Sequence, residues 1–125
     1  MTTLMHAHPA PRYDLPGLAF TGLASPSRGS SDLCTWRLTV EPGFSSPDAH
    51  LLDRDEVFMV LAGAIRLAPE TDPVHAGGVA VVPAGSPIQL ENAGDGEAEV
   101  LVAIAAGFTA RGADGSDIGT PPWAL

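Results

Sequence analysis

The stretch Pro42-Gly43-Phe44-Ser45-Ser46-Pro47-Asp48-Ala49-His50-Leu51-Leu52-Asp53-Arg54-Asp55-Glu56-Val57-Phe58-Met59-Val60-Leu61-Ala62-Gly63 alternates turn chemistry with short apolar runs. Pro42-Gly43 turns the chain, and a short strand is expected around His50 and Leu52. Glu56 to Leu61 is rich in Val, Phe and Leu, which suit a pleated, half-buried surface. It stops at Ala62-Gly63-Ala64 before Ile65-Arg66-Leu67 resumes. That pattern predicts a hairpin.

Outward from this stretch the same rhythm continues. Leu33 to Val40 places Cys34, Trp36, Leu38 and Val40 on one face and Thr35, Arg37 and Thr39 on the other, the period of a half-buried strand. Downstream, Thr71-Asp72-Pro73 and Gly77-Gly78 are turns, and Val79 to Val82 is a short strand ended by Pro83-Ala84-Gly85. Ser86 to Leu90 and Glu99 to Ala105 complete the series, separated by Asn92-Ala93-Gly94-Asp95-Gly96. Short strands at regular spacing predict an all-β sandwich or barrel.

Composition agrees. The 125 residues suit one domain, and 14 glycines with 12 prolines leave little room for long helices. No lysine is present, so the six cations are arginines, set against fifteen carboxylates for a net charge of -9. An acidic chain disfavours nucleic acid and anionic membrane partners. Without lysine, a P-loop and Schiff-base chemistry are excluded. The single Cys34 cannot form an intrachain disulfide, no apolar run reaches the roughly 20 residues of a membrane span, and nothing near Met1 resembles a signal peptide. A cytoplasmic location is expected. Residues 1–15 are read as an N-terminal arm, 16–110 as the barrel, and 111–125 as a tail anchored by Trp123. Asp53, Asp55 and Glu56, like Asp95, Glu97 and Glu99, form acidic clusters, most of them read as solvated turns.

Two segments together resemble the cupin superfamily, small jelly-roll β-barrels recognised by a pair of motifs. The first family motif runs Gly, five residues, His-x-His, three or four residues, Glu, six residues, Gly, and is matched at Gly43, Glu56 and Gly63, with six residues between Gly43 and His50. The second runs Gly, five residues, Pro-x-Gly, two residues, His, three residues, Asn, and is matched at Gly77, Pro83, Gly85 and Asn92. The resemblance covers residues 33 to 107. It implies a single-domain cupin-type jelly roll, and small cupins of this kind are often homodimers. The apolar outer positions Val57, Met59 and Leu61 are compatible with that.

The same motifs imply four metal ligands, and here two are lost. Ile88 stands at the histidine of the second motif. In the first, counting back from Glu56 gives either His50 and Leu52 or Ala49 and Leu51. The former register puts positions 50, 52 and 56 at one parity and keeps one histidine. His50 and Glu56 fall short of the three protein ligands that catalytic transition metals take, and Leu52 and Ile88 make the surroundings apolar. No metal or other cofactor is therefore expected. His6 and His8, a His-x-His pair on the arm, would rescue a site only by folding over the barrel mouth, and His75 is read as a loop residue.

By strand parity Phe58 and Val60 follow Glu56, and Leu90 follows Ile88. With Trp36 and Leu52 they are the expected lining of an apolar pocket for a small organic molecule, unless they simply fill the barrel as core. His50 and Glu56 are the polar pair within it, fit for general acid and base work because burial raises a carboxyl pKa, or else for a structural ion pair. Tyr13 and Arg37 are weaker polar candidates, and Cys34 is read as an inert buried thiol. Three functions follow: a pocket binding a small organic molecule, as a metal-independent isomerase, lyase or cyclase or as a binder alone; a metal-dependent, dioxygenase-like cupin with an incomplete or arm-completed site; or a ligand-sensing or structural module without catalysis.

Overall fold

The computed structural model describes residues 1–125. Its strands are β1 (Arg12–Leu15), β2 (Leu18–Gly22), β3 (Leu33–Val40), β4 (His50–Leu52), β5 (Glu56–Ala62), β6 (Ala64–Ala68), β7 (Val74–His75), β8 (Val79–Val82), β9 (Pro87–Asn92), β10 (Ala98–Ala105), β11 (Ala110–Gly112) and β12 (Asp117–Gly119). They form two six-stranded antiparallel sheets, ordered β1-β2-β3-β10-β5-β8 and β12-β11-β4-β9-β6-β7. This is the all-β architecture that the strand pattern predicts, in the jelly-roll form that the cupin resemblance implies. No helix is long and apolar enough to cross a membrane.

The central strands show why the pattern folds this way. On β3 and β10 every second residue is buried, and the register sets Leu38 against Val100, Trp36 against Val102 and Cys34 against Ile104. Apolar side chains thus meet across strands on the inner face. The intervening positions face out, where Arg37 pairs with Glu99 at 2.9 Å. Arg37 is thereby removed from the candidate site. The outer face is more apolar than Val57, Met59 and Leu61 alone imply, because Val79 and Val81 on the edge strand β8 are also exposed.

The expected hairpin at Ala62-Gly63-Ala64 does not form. β5 pairs with β10 and β8, whereas β6 pairs with β9 and β7, so the chain changes sheet at Gly63. Gly63 takes φ 73°, and a Cβ there would stand 2.9 Å from the Glu97 carbonyl oxygen and 3.0 Å from Ala98 Cα. Only glycine fits that conformation and that approach.

Both ends of the chain contribute strands. The arm over residues 1–15 finishes in β1, paired with β2 through Tyr13 and Phe20. The tail over 111–125 carries the end of β11 and all of β12, which extend the second sheet. Beyond them Arg28 donates to the Trp123 carbonyl at 3.0 Å, and the Ser25 and Ser27 hydroxyls donate to the Leu125 carbonyl. Asp53 and Asp55 are also more than solvated turns. Asp53 accepts the Thr109 amide at 2.8 Å and its hydroxyl at 3.1 Å, and Asp55 accepts the Ala84 amide at 2.9 Å.

Asn92, the last residue of the second motif, ties three segments together. Its side-chain amide donates to the carbonyls of Val40, Glu41 and Gly96 at 3.1, 3.1 and 2.9 Å, and its oxygen accepts the Gly94 amide at 2.9 Å. Replacing it strands several backbone groups without new partners. Asn92→Ala is expected to lower the unfolding free energy by about 2 kcal/mol. Urea denaturation checks this, and a loss below about 0.5 kcal/mol would mean that water replaces these bonds.

Candidate functional site

Between the sheets lies a cavity of about 820 Å³, open at one end. Its volume falls within the usual range for small-molecule sites, so the barrel is not filled by its own side chains. The two motifs meet at one wall. β4 runs beside β9 with His50 opposite Ile88 and Leu51 opposite Pro87, and the Gly85 amide donates to the Leu52 carbonyl at 2.8 Å. On its other edge β4 pairs with β11, setting Leu52 against Ala110 and His50 against Gly112. Glu56 comes from the opposite sheet, on β5 between Val82 and Ile104.

Trp36, Leu52, Phe58, Ile88 and Leu90 line the cavity together with His50 and Glu56. Val60 does not. Its inward parity is right and it is buried, at 2% exposure, but it lies one strand repeat beyond Phe58, in the closed core past the end of the cavity. Tyr13 is likewise absent from the wall, its ring centroid 6.1 Å from that of Trp123.

Several wall residues could not be read from the motifs. Phe20 sits on β2, a strand whose weak alternation gave no signal, and Phe108 follows the β10 strand. Trp123 was legible as an anchor but not as wall: it stacks on Phe20 with centroids 3.8 Å apart and planes 10° apart, and meets Trp36 edge-on at 6.5 Å. Phe44 adds a further ring to the lining. Flat aromatic surfaces therefore dominate the end of the cavity nearest the tail.

Glu56 is 4% exposed and makes no side-chain hydrogen bond or ion pair with the protein. Its burial among apolar side chains pushes the carboxyl up to about 8, so at neutral pH it is mainly the protonated acid. His50, half-buried on the facing wall, has its pKa lowered by burial and is favoured in the neutral form. No hydrogen bond or ion pair joins the two, and neither group's shift has the other among its causes. The ion pair that the sequence left open is thus not formed, and the two groups stand apart in opposite walls.

The metal-ligand positions do not fit a metal. Leu52 and Ile88 occupy the places of two imidazoles, and nowhere do three or more His, Cys, Asp or Glu side chains gather to hold an ion. The arm does not complete the site either. His6 and His8 are exposed, while Thr3 of the same arm lies against Gly29, where an added Cβ would meet its hydroxyl at 3.0 Å. His75 is exposed on β7. Cys34 is fully buried, with its thiol 3.4 Å from the Ala124 carbonyl and its pKa raised by burial.

Comparison with known proteins agrees with this architecture. Among curated proteins, none matches the chain by sequence. Among solved structures, the polyketide cyclase RemF from Streptomyces resistomycificus superposes with a TM-score of 0.75 at 15% identity, covering 98% of this chain and 89% of that one. KdgF from Halomonas sp. gives 0.68 at 19% identity over 84% of this chain and 94% of that one. A sugar phosphate isomerase of the cupin superfamily from Silicibacter pomeroyi gives 0.65 at 27% identity over 79% and 67%. The family model for the cupin domain matches residues 36–104, spanning both motifs, and the chain belongs to the cupin family.

Proposed function

We propose that this cupin binds a small, flat, largely apolar molecule and moves protons on it without a metal, in an isomerisation, elimination or ring closure. The observation that carries the reading is the Glu56 carboxyl, nearly buried, without a protein partner, and facing an aromatic cavity of about 820 Å³. No fully buried side-chain oxygen is left without a partner, so the Glu56 carboxyl, which bonds to no protein group, opens onto the cavity. A ligand oxygen there can accept its proton. In this reading Glu56 donates to a carbonyl oxygen while neutral His50, on the far wall, takes a proton from the adjacent carbon. The product is an enol, and the same groups return the protons at another position.

Proteins of this fold include, by their names, a cyclase and an isomerase, so the barrel leaves the chemistry to its side chains. The second reading, a binding module without catalysis, uses the same cavity and differs only in whether protons move.

An uncharged, enolisable bicyclic ketone such as 2-tetralone separates the two. The expected result is saturable binding by calorimetry and protein-dependent exchange of its α-protons in heavy water, followed by NMR. The exchange should fall about a hundredfold in Glu56→Gln and in His50→Gln. Binding with unchanged exchange in both variants would leave the binding module, and no binding would remove both readings.

The protonation of Glu56 has its own test. Its folded pKa lies above the unfolded value of 4.5, so the stability it permits is complete below pH 4.5 and is lost as pH rises through about 8. Glu56→Gln has no such loss. The variant's stability relative to the parent chain should therefore grow by about 1.4 kcal/mol per pH unit between pH 5 and 8, to ~4 kcal/mol in all. A flat difference across that range, measured by urea denaturation, would show that Glu56 is ionised in the folded protein.

A further inference from the structure

The mouth of the cavity carries charge of one sign. Asp48 precedes β4, and Asp114 lies at the tip of the β11–β12 hairpin, both on the wall. The two are brought to one sector of the rim, because Gly112 pairs with His50 and the Ala113 amide donates to the Ala49 carbonyl at 3.3 Å. Hydrogen bonds from the Ser116 hydroxyl and amide hold the Asp114 carboxyl below its ordinary range, so it stays ionised.

No arginine reaches this wall. Arg12 pairs with Asp14, Arg37 with Glu99 and Arg66 with Glu91, each outside the cavity. Arg28 is spent on the tail, bonding the Leu23 and Trp123 carbonyls. Arg54 is exposed beside Asp53, and Arg111, on the other side of β11, lines a separate, smaller pocket with Asp53 and Thr109. The lysine-free composition leaves no other side-chain cation except the histidines.

We infer that the site selects ligands without an anionic group, and that Asp48 and Asp114 set this selection at the entrance. The inference rests on the binding function proposed above and narrows its substrate class to uncharged or cationic molecules. Carboxylates and phosphate esters are excluded twice. Two carboxylates repel them at the rim, and inside they meet aromatic walls and an acid with no cation to compensate the lost hydration. Glu56, nearly buried and aimed into the cavity without a partner, is the independent mark that a ligand belongs here. It is complemented by a neutral carbonyl or hydroxyl oxygen, which accepts its proton and carries no charge of its own.

The test uses two probes of one shape, 2-acetylnaphthalene, which is uncharged, and 2-naphthoate, which is an anion at pH 7. Binding to the full chain is followed by tryptophan fluorescence. The uncharged probe is expected to bind at least tenfold more tightly at low ionic strength. The ratio should narrow in 0.5 M salt, and the Asp48→Asn/Asp114→Asn double variant should narrow it about tenfold, since two exposed charges at the rim contribute on that scale. Asparagine keeps an acceptor for the Ser116 amide, so the hairpin tip is preserved. Equal binding of the two probes, or a ratio unmoved in the double variant, overturns the charge selection and leaves the binding cavity standing. If neither probe binds, the binding function falls, and this inference with it.

Discussion

The close approach at Gly63 decides what kind of space this protein encloses. A side chain there would collide with the backbone of Glu97 and Ala98, and without glycine β5 could not end against the start of β10 while β6 departs into the other sheet. The chain makes a second crossing at residues 53–55, between β4 and β5, and so Glu56 on β5 and His50 on β4 end up in opposing walls rather than in neighbouring strands. A hairpin at Gly63 would have put β5 and β6 side by side in one layer. The cavity, its two isolated titratable groups and its aromatic end all follow from two sheets held apart and joined at such crossings.

Loss of imidazole at Leu52 and Ile88 changes more than metal affinity. In a metal-binding barrel the ion supplies a fixed charge that neutralises its carboxylate ligand and polarises the substrate. Here the carboxylate has no such partner, and burial leaves protonation as the cheaper state. With leucine and isoleucine at those two places, the surroundings of Glu56 are apolar and favour its protonated form.

How far the sequence could be read depended on whether a feature was local. Alternation on β3, β5 and β10 placed Trp36, Phe58 and Glu56 on the inner face, since strand parity is a property of consecutive residues. The order and spacing of the two motifs identified the barrel, and glycines at 43, 63, 77 and 85 do take positive φ. Pairing between strands is not local. Nothing in Ala62-Gly63-Ala64 distinguishes a tight turn within a sheet from a crossing between sheets, because the deciding contact is with residues more than thirty positions away. The same limit hid the separation of His50 from Glu56, the place along β5 where the cavity ends before Val60, and the role of β2 and β12 in building the wall.

Trp123 and Ala124 lie one residue apart yet guard different things. The indole of Trp123 closes the aromatic end of the cavity by stacking on Phe20, while the carbonyl of Ala124 covers the thiol of Cys34. Any movement that lifts this segment widens the cavity and uncovers the protein's one sulfhydryl in the same step. The molecule therefore carries its own clock for opening: the speed at which Cys34 becomes alkylated in the folded state reports how often the cavity loses that wall.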